Sequence, residues 1–233
     1  TDVAQALFDR GKEDLNPELS EDGRYIRDHI SEEGYRRLLA IASLDGLVEA
    51  SQLSRVLGGA SSEVQLMLTR ILWEEYGSGK LERKHSTFFA KMMDGLGLDS
   101  RPEAYFDLVP WEVLANINHS FMVSEQKRKY LRYVGGLLYI EVSVPGSFIN
   151  NKLAGERLGL STEAISYWDI HIKEDIRHGQ WMLDDVALPL VEKYGKDAWE
   201  IVLGYDQQKY LSSRAFSSVV DSIQNCENAV MQD

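Results

Sequence analysis

His171, Asp175 and His178 are spaced i, i+4, i+7, so a helix through them carries two imidazoles and a carboxylate in a row on one face. Ala164, Trp168 and Met182 extend that face, Ile165, Ile172, Ile176 and Leu183 form an apolar stripe beside it, and Lys173 and Arg177 point away. The polar row therefore belongs to the side that meets the core. Burying such groups costs free energy unless each has a partner, and a metal ion suits all three. A surface helix with scattered polar residues, or a pair of hydrogen-bonded core histidines, would produce the same short pattern.

Two more positions add to the inventory. Glu141 shares a helical face with Val134 and Leu138, so its carboxylate lies in an apolar stripe. A Glu at a loosened helix end, just reaching water before Pro145, is the alternative. His85 follows the glycine-rich break Gly77-Ser78-Gly79, with Glu75 ten residues before it and Glu82 three before it. Glu82-x-x-His85 has the spacing by which one helix gives a carboxylate and an imidazole to an iron in ferritin-like proteins, although Asp175-Ile176-Arg177-His178 would be an imperfect second copy. Three histidines and three carboxylates are too many for one structural zinc and too rich in imidazole for magnesium or calcium. They suit iron or manganese, and two divalent ions better than one.

The elements that must position these groups are helical, since strand-like alternation is almost absent. Ser31 reads as the N-cap of a helix carrying Tyr35, Leu38, Leu39, Ile41 and Ala42. Ser61-Ser62-Glu63 opens a second, with Val64, Leu66, Met67, Ile71 and Leu72, running to Glu75. The pattern resumes through Phe88, Phe89, Met92, Met93 and Leu96. Trp111 to Val123 and Glu125 to Val142 follow, the latter ending before Pro145. After Ser147 to Leu158, the triad helix starts at Ser161-Thr162-Glu163, and Leu188 to Tyr194 and Ala198 to about Asn225 close the chain. Residues 1–30 read as a peripheral, polar and turn-rich segment. The expectation is an all-α fold, one compact domain over residues 1–233 with about seven core helices.

Composition narrows the function. A net charge of −12 and a pI near 4.9 argue against nucleic acid, whose binding is driven by clustered Lys and Arg. Cys226 is the lone cysteine, so neither a disulfide framework nor a thiolate metal knuckle is available. The longest apolar run, Val134 to Ile140, is too short to cross a bilayer, and Thr1-Asp2-Val3-Ala4-Gln5 lacks a signal-peptide pattern. A soluble cytoplasmic protein with no membrane partner is expected.

With these residues in place, the chain resembles the heme-oxygenase-like diiron oxidases and oxygenases, an iron-containing redox family. The resemblance covers about residues 35 to 220. It rests on Glu74-Glu75-Tyr76-Gly77-Ser78-Gly79 followed by His85, Phe88-Phe89 and Leu96-Gly97-Leu98, on Gly136-Leu137 followed by Glu141 and Pro145, and on His171-x-x-x-Asp175-x-x-His178-Gly179. It implies a heme-oxygenase-like bundle, often dimeric, holding two iron ions on Glu75, His85, Glu141, His171, Asp175 and His178, with Glu82 as the substitute for Glu75. Members that N-oxygenate can carry a further carboxylate on an earlier helix; Glu49 and Asp45 are the candidates, neither in a distinctive context. The resemblance further implies O₂ as co-substrate, a small amine-bearing or amino-acid-derived substrate, N-oxygenation, desaturation or carbon–carbon cleavage, and an external electron donor.

Tyr139, Phe148, Trp168 and Phe89 lie near the ligands in sequence and are the candidates for the substrate-pocket wall, although for each taken singly ordinary core packing is the favoured reading. Gly179 and the isoleucines at 170, 172 and 176 weaken the triad helix, which should be loosely held without metal. The rival readings are a thiaminase-like hydrolase, disfavoured by the remoteness of Cys226, a ferritin-like store, and a non-catalytic helical interaction or iron-binding protein.

Overall fold

In the computed structural model, which describes residues 2–58 and 62–230, every regular element is helical and no strand occurs among the described residues. In order, these are α1 (Val3–Leu15), α2 (Glu21–Asp28), α3 (Glu32–Gly46), α4 (Ser51–Val56), α5 (Ser62–Glu75), α6 (His85–Gly95), α7 (Trp111–Glu125), α8 (Tyr130–Arg157), α9 (Ser166–Trp181), α10 (Leu188–Tyr194) and α11 (Trp199–Val230). The expected N-cap of α3 is present, with the Ser31 side chain accepting from Gly34 N–H. The expected opening of α5 at Ser61 lies outside the described residues.

Helices α8 and α11 form the frame. Gly135 and Gly204 let their backbones touch: a Cβ on Gly135 would overlap the Ile201 carbonyl, and one on Gly204 the Arg132 carbonyl. Two apolar clusters fill the bundle. The first joins Leu68, Ile71, Val134, Leu138, Met182 and Ile201; the second joins Tyr35, Leu39, Phe89, Met92, Trp168 and Ile223. Helix α9 feeds the second cluster through Trp168, and Met182, just past its end, feeds the first. Its polar row falls between them.

Several expectations change. Helix α8 does not stop before Pro145 but runs through it to Arg157, absorbing the separate Ser147–Leu158 segment. Proline cannot bond the carbonyl four residues back, so the ladder opens at Glu141 without ending the helix, because α9 packs along this stretch of α8. The segment before residue 30 is helical, and Leu7, Ile26 and Ile30 are fully buried. Its polar residues are the outer faces of two amphipathic helices. Leu66 and Ile176, expected on apolar stripes, are mostly exposed, since each sits on the outer edge of its helix.

Beyond α9 the chain continues as a π-helical segment, Met182–Ala187, into α10. Pro189 lacks the N–H that would reach the Asp185 carbonyl, and a wider turn accommodates that loss.

Candidate metal centre

Glu75 is the last residue of α5 and His85 the first of α6. The turn between them reverses through Gly77 and Gly79, at φ +66° and +80°, so the two helix ends meet face to face. Glu75 Oε2 lies 2.8 Å from His85 Nδ1. Helix α9 brings His171, Asp175 and His178, and α8 brings Glu141. Gly179 lets those helices approach, because a Cβ there would stand 3.1 Å from the Glu141 carbonyl oxygen.

The side chains form two adjoining donor sets. In the first, Glu49, Glu75, His85 and His171 each present a ligand atom within 4.8 Å of the others. Here His85 Nδ1 is 3.1 Å from His171 Nε2, which is 2.8 Å from Glu49 Oε1. In the second, Glu75, Asp175 and His178 converge in the same way, with Glu141 Oε2 at 3.4 Å from His178 Nδ1. Glu75 belongs to both sets: Oε2 faces His85, and Oε1 lies 3.3 Å from His178 Nδ1. A carboxylate so placed can bridge two ions.

Each histidine turns one ring nitrogen into the centre and anchors the other outside it. His85 Nε2 reaches Glu174 at 3.2 Å, His178 Nε2 reaches Glu74 at 3.0 Å, and His171 Nδ1 reaches the Tyr167 carbonyl at 2.8 Å. These acceptors hold the proton on the outer nitrogen, leaving the inner one to bind a metal. Arg177 also pairs with Glu74, and the Tyr167 hydroxyl donates to Glu49 at 2.8 Å.

Glu75, His85, Glu141, His171, Asp175 and His178 are all at most 7% exposed. Burial pushes the Asp175 carboxyl well above its usual value and the Glu141 carboxyl up, with neighbouring carboxylates adding to both. Against the opposing effect of burial, their carboxylate neighbours push His171 up to about 9 and His85 and His178 up to about 11. Without metal, protonated imidazoles would offset the neighbouring carboxylates. Buried Asp175 Oδ1 and His178 Nδ1 still lack hydrogen-bond partners, as does Glu49 Oε2. Four carboxylates, three neutral imidazoles and unpaired inward-facing donors fit two divalent ions, which would balance the four negative charges.

All six ligands expected from the sequence are therefore brought together. Glu82 is not among them: it sits exposed in the turn before His85, on a separate one-turn 3₁₀ segment. The ExxH spacing does not operate, because residues 82 and 85 are not on one α-helix. Glu49, left aside on sequence, joins the first set. It follows α3 by three residues and precedes Ala50, whose left-handed backbone (φ +62°) lies in the turn leading to α4. Only the resemblance, which allows a further early carboxylate, hinted at it. Of the outer acceptors, Glu74 stood in the motif around Glu75 without a role, and Glu174 carried no sequence signal.

A cavity of about 340 Å³ adjoins the centre, reaching Glu49, Glu75, Glu141, His171 and Asp175. Of the four expected wall aromatics, Phe148 lines it, packing 5.5 Å from the His171 ring. The other three do not. Tyr139 packs on Tyr205, Phe89 is buried against Tyr167 and Trp168, and Trp168 Nε1 donates to the Tyr35 hydroxyl at 2.6 Å. Proximity in sequence to a ligand put them on neighbouring helix faces, which here serve the core.

Residues 36–207, well over half of the chain, match the family described as iron-containing redox enzymes. The chain belongs to that family. Its bundle is the heme-oxygenase-like fold that the motifs implied, with eight helices of eleven residues or more among those described. A nitrosourea synthase from Streptomyces achromogenes subsp. streptozoticus is 30% identical over 169 residues, covering 72% of this chain. The chain spans only 36% of that protein's length. Family membership makes the chain an iron-containing redox enzyme. No described helix is long and apolar enough to cross a membrane.

Proposed function

We propose that this iron-containing redox enzyme holds two irons and uses O₂ to oxygenate a nitrogen of a small amine- or amino-acid-derived substrate. The observation that carries the reading is Glu75, which faces His85 with one oxygen and His178 with the other. One ion would be held by Glu49, Glu75, His85 and His171, and its neighbour by Glu75, Glu141, Asp175 and His178. Glu49 favours N-oxygenation over carbon–carbon cleavage or desaturation, since the extra early carboxylate is a mark of N-oxygenating members of the resembling family. The nitrosourea synthase relative points the same way by its name.

When bound, ferrous ions supply the electrons and the Lewis acidity that activate O₂. In the balanced reaction one oxygen atom joins the substrate nitrogen and the other leaves as water. Two protons and two electrons are consumed, so an external reductant is needed for turnover. The chain's residues set the geometry. Glu74, Glu174 and the Tyr167 carbonyl fix the three imidazole rings, and Phe148 with Tyr133 and Val144 walls the adjoining cavity, seating substrate beside the open edge of the centre. Tyr167 steadies Glu49 by hydrogen bonding.

The test is anaerobic Fe(II) titration followed by exposure to ¹⁸O₂ with a panel of amines and amino acids. Two irons per chain and one labelled oxygen on a substrate nitrogen are expected. Saturation at one iron, or label recovered only in water, would sink the reading.

A further inference from the structure

Asp45 lines the same cavity but belongs to neither donor set. It stands in the last turn of α3, one helical turn before Glu49. Protein surrounds it closely enough that burial pushes its carboxyl above the ordinary value, yet its side chain keeps open surface. Both hold for a group in the wall of a deep but partly open cavity. Gln52 Nε2 donates to its Oδ1 at 3.0 Å, and among the described residues no Lys, Arg or His pairs with it.

The cavity offers no cation to answer this charge. Arg132, in the same wall, is bound to Glu200 through both Nε and Nη2. Burial holds the His119 imidazole below its usual value, and the nearby charges of Lys129 and Arg132 add to this against the opposing effect of the Gln207 side chain. His119 is therefore neutral at pH 7. Other parts of the wall are uncharged and hydrogen-bonding, such as Gln208, whose Nε2 donates to Asn116 at 2.8 Å and to Ser212 at 3.0 Å. Once two divalent ions match Glu49, Glu75, Glu141 and Asp175, one negative charge in this space stays unmatched. An unpaired carboxylate in the wall of such a cavity favours a cationic ligand.

We propose that Asp45 is the counter-ion for a protonated nitrogen of the substrate, making the cavity selective for small molecules with at least two nitrogens. The inference rests on this cavity being the substrate site of the proposed oxidation. A nitrogen needs a free lone pair to accept oxygen, so the protonated nitrogen at Asp45 is not the one oxidised. Diamines and basic amino acids have this composition. At about 340 Å³ the cavity lies at the small end of the range for ligand pockets, which suits small substrates.

Calorimetric titration of the anaerobic Fe(II)-loaded protein tests it, with cadaverine, L-lysine and the neutral isostere 1,5-pentanediol as probes. Cadaverine or lysine should bind at least about tenfold more tightly than the diol, and Asp45→Asn should erase that preference. Asp45→Glu, which keeps the charge, should retain part of it, and iron content should be unchanged in both variants. Three results would each overturn the proposal: no preference for the cations in the unaltered protein, an unchanged preference in Asp45→Asn, or loss of iron in Asp45→Asn. Because no O₂ is present, binding through Asp45 without later oxidation would sink the N-oxygenation reading and leave this one standing.

Discussion

Gly179 faces the Glu141 carbonyl across the α8–α9 contact, at a separation where a Cβ would stand 3.1 Å from that oxygen. The same carbonyl is the one that Pro145 cannot bond, four residues further along α8. A missing side chain on one helix and a missing amide proton on the other thus meet at one point. Their effect is to bring Glu141 beside His178, at 3.4 Å, so that both can reach one ion.

Gly179→Val tests this relationship. The backbone carbonyl cannot rotate away as a side-chain tip could, so α9 must shift, and overpacking of this kind costs about 1–3 kcal/mol. Thermal unfolding should move down accordingly. Iron bound per chain should fall from two toward one, because the Glu141–His178 set widens while the Glu49–His171 set does not. Retention of two irons with unchanged affinity would show that the close approach is packing alone.

Glu75 and Glu82 are separated as candidate ligands by their surroundings. Glu75→Gln removes one of the two charged oxygens facing the imidazoles and should abolish loading of the second iron, with activity falling at least about a hundredfold. Glu82→Gln changes an exposed residue and should leave iron stoichiometry and unfolding temperature within error. Equal iron loss in both would return Glu82 to the ligand set.

The metal-free protein should lose stability as pH rises above neutrality. His171 titrates near 9 in the fold and His85 and His178 near 11, against 6.5 as the ordinary value. Between about pH 6.5 and those values the folded chain holds protons that the unfolded chain has released, so unfolding becomes easier with each step upward. The raised Glu141 and Asp175 carboxyls act in the same sense from lower pH, whereas the depressed Glu75 carboxyl contributes stability that is lost only on acidification. With iron bound the imidazoles are neutral ligands and this slope disappears. Unfolding temperatures of metal-free and iron-loaded protein should therefore diverge from pH 6.5 to 9. Parallel curves would contradict the proton-for-metal exchange.

The sequence makes the ligands on α9 legible because one helix carries three of them on the face that meets the core, and the other motifs favour a metal over the alternatives. Glu141 is legible for the same reason, as a charge in an apolar stripe. Glu75 is harder: the motif across the glycine turn relates it to His85, but Glu82 stands closer in sequence, and the turn geometry is what puts Glu75 beside that ring. Glu49 could not be found this way. It lies on a connection between helices, where periodicity has no meaning, and its place depends on how α3 packs. The pocket walls fail similarly, since a residue's nearness to a ligand in sequence does not say which helix face it occupies. Trp168 and Phe89 are near the centre and face the core. Pro145 reads as a stop on local grounds and is overruled by tertiary contact along α8.

The last expectation concerns motion in α9. Its inward row places His171, Asp175 and His178 beside Glu75 and Glu141, and without metal only shared protons offset that crowding of charge. Its C-terminal end passes into a π-helical turn and Pro189, where the i→i−4 ladder is already interrupted. Nothing comparable weakens α8 or α11 at their mutual contact, where both backbones are locked by Gly135 and Gly204. Amide exchange in the metal-free protein should therefore be fast across residues 166–187 and slow in the α8–α11 contact, and iron loading should slow the first region with little change in the second. Equal protection of α9 with and without iron would mean that protein packing alone holds the helix, and that ligand geometry is preformed.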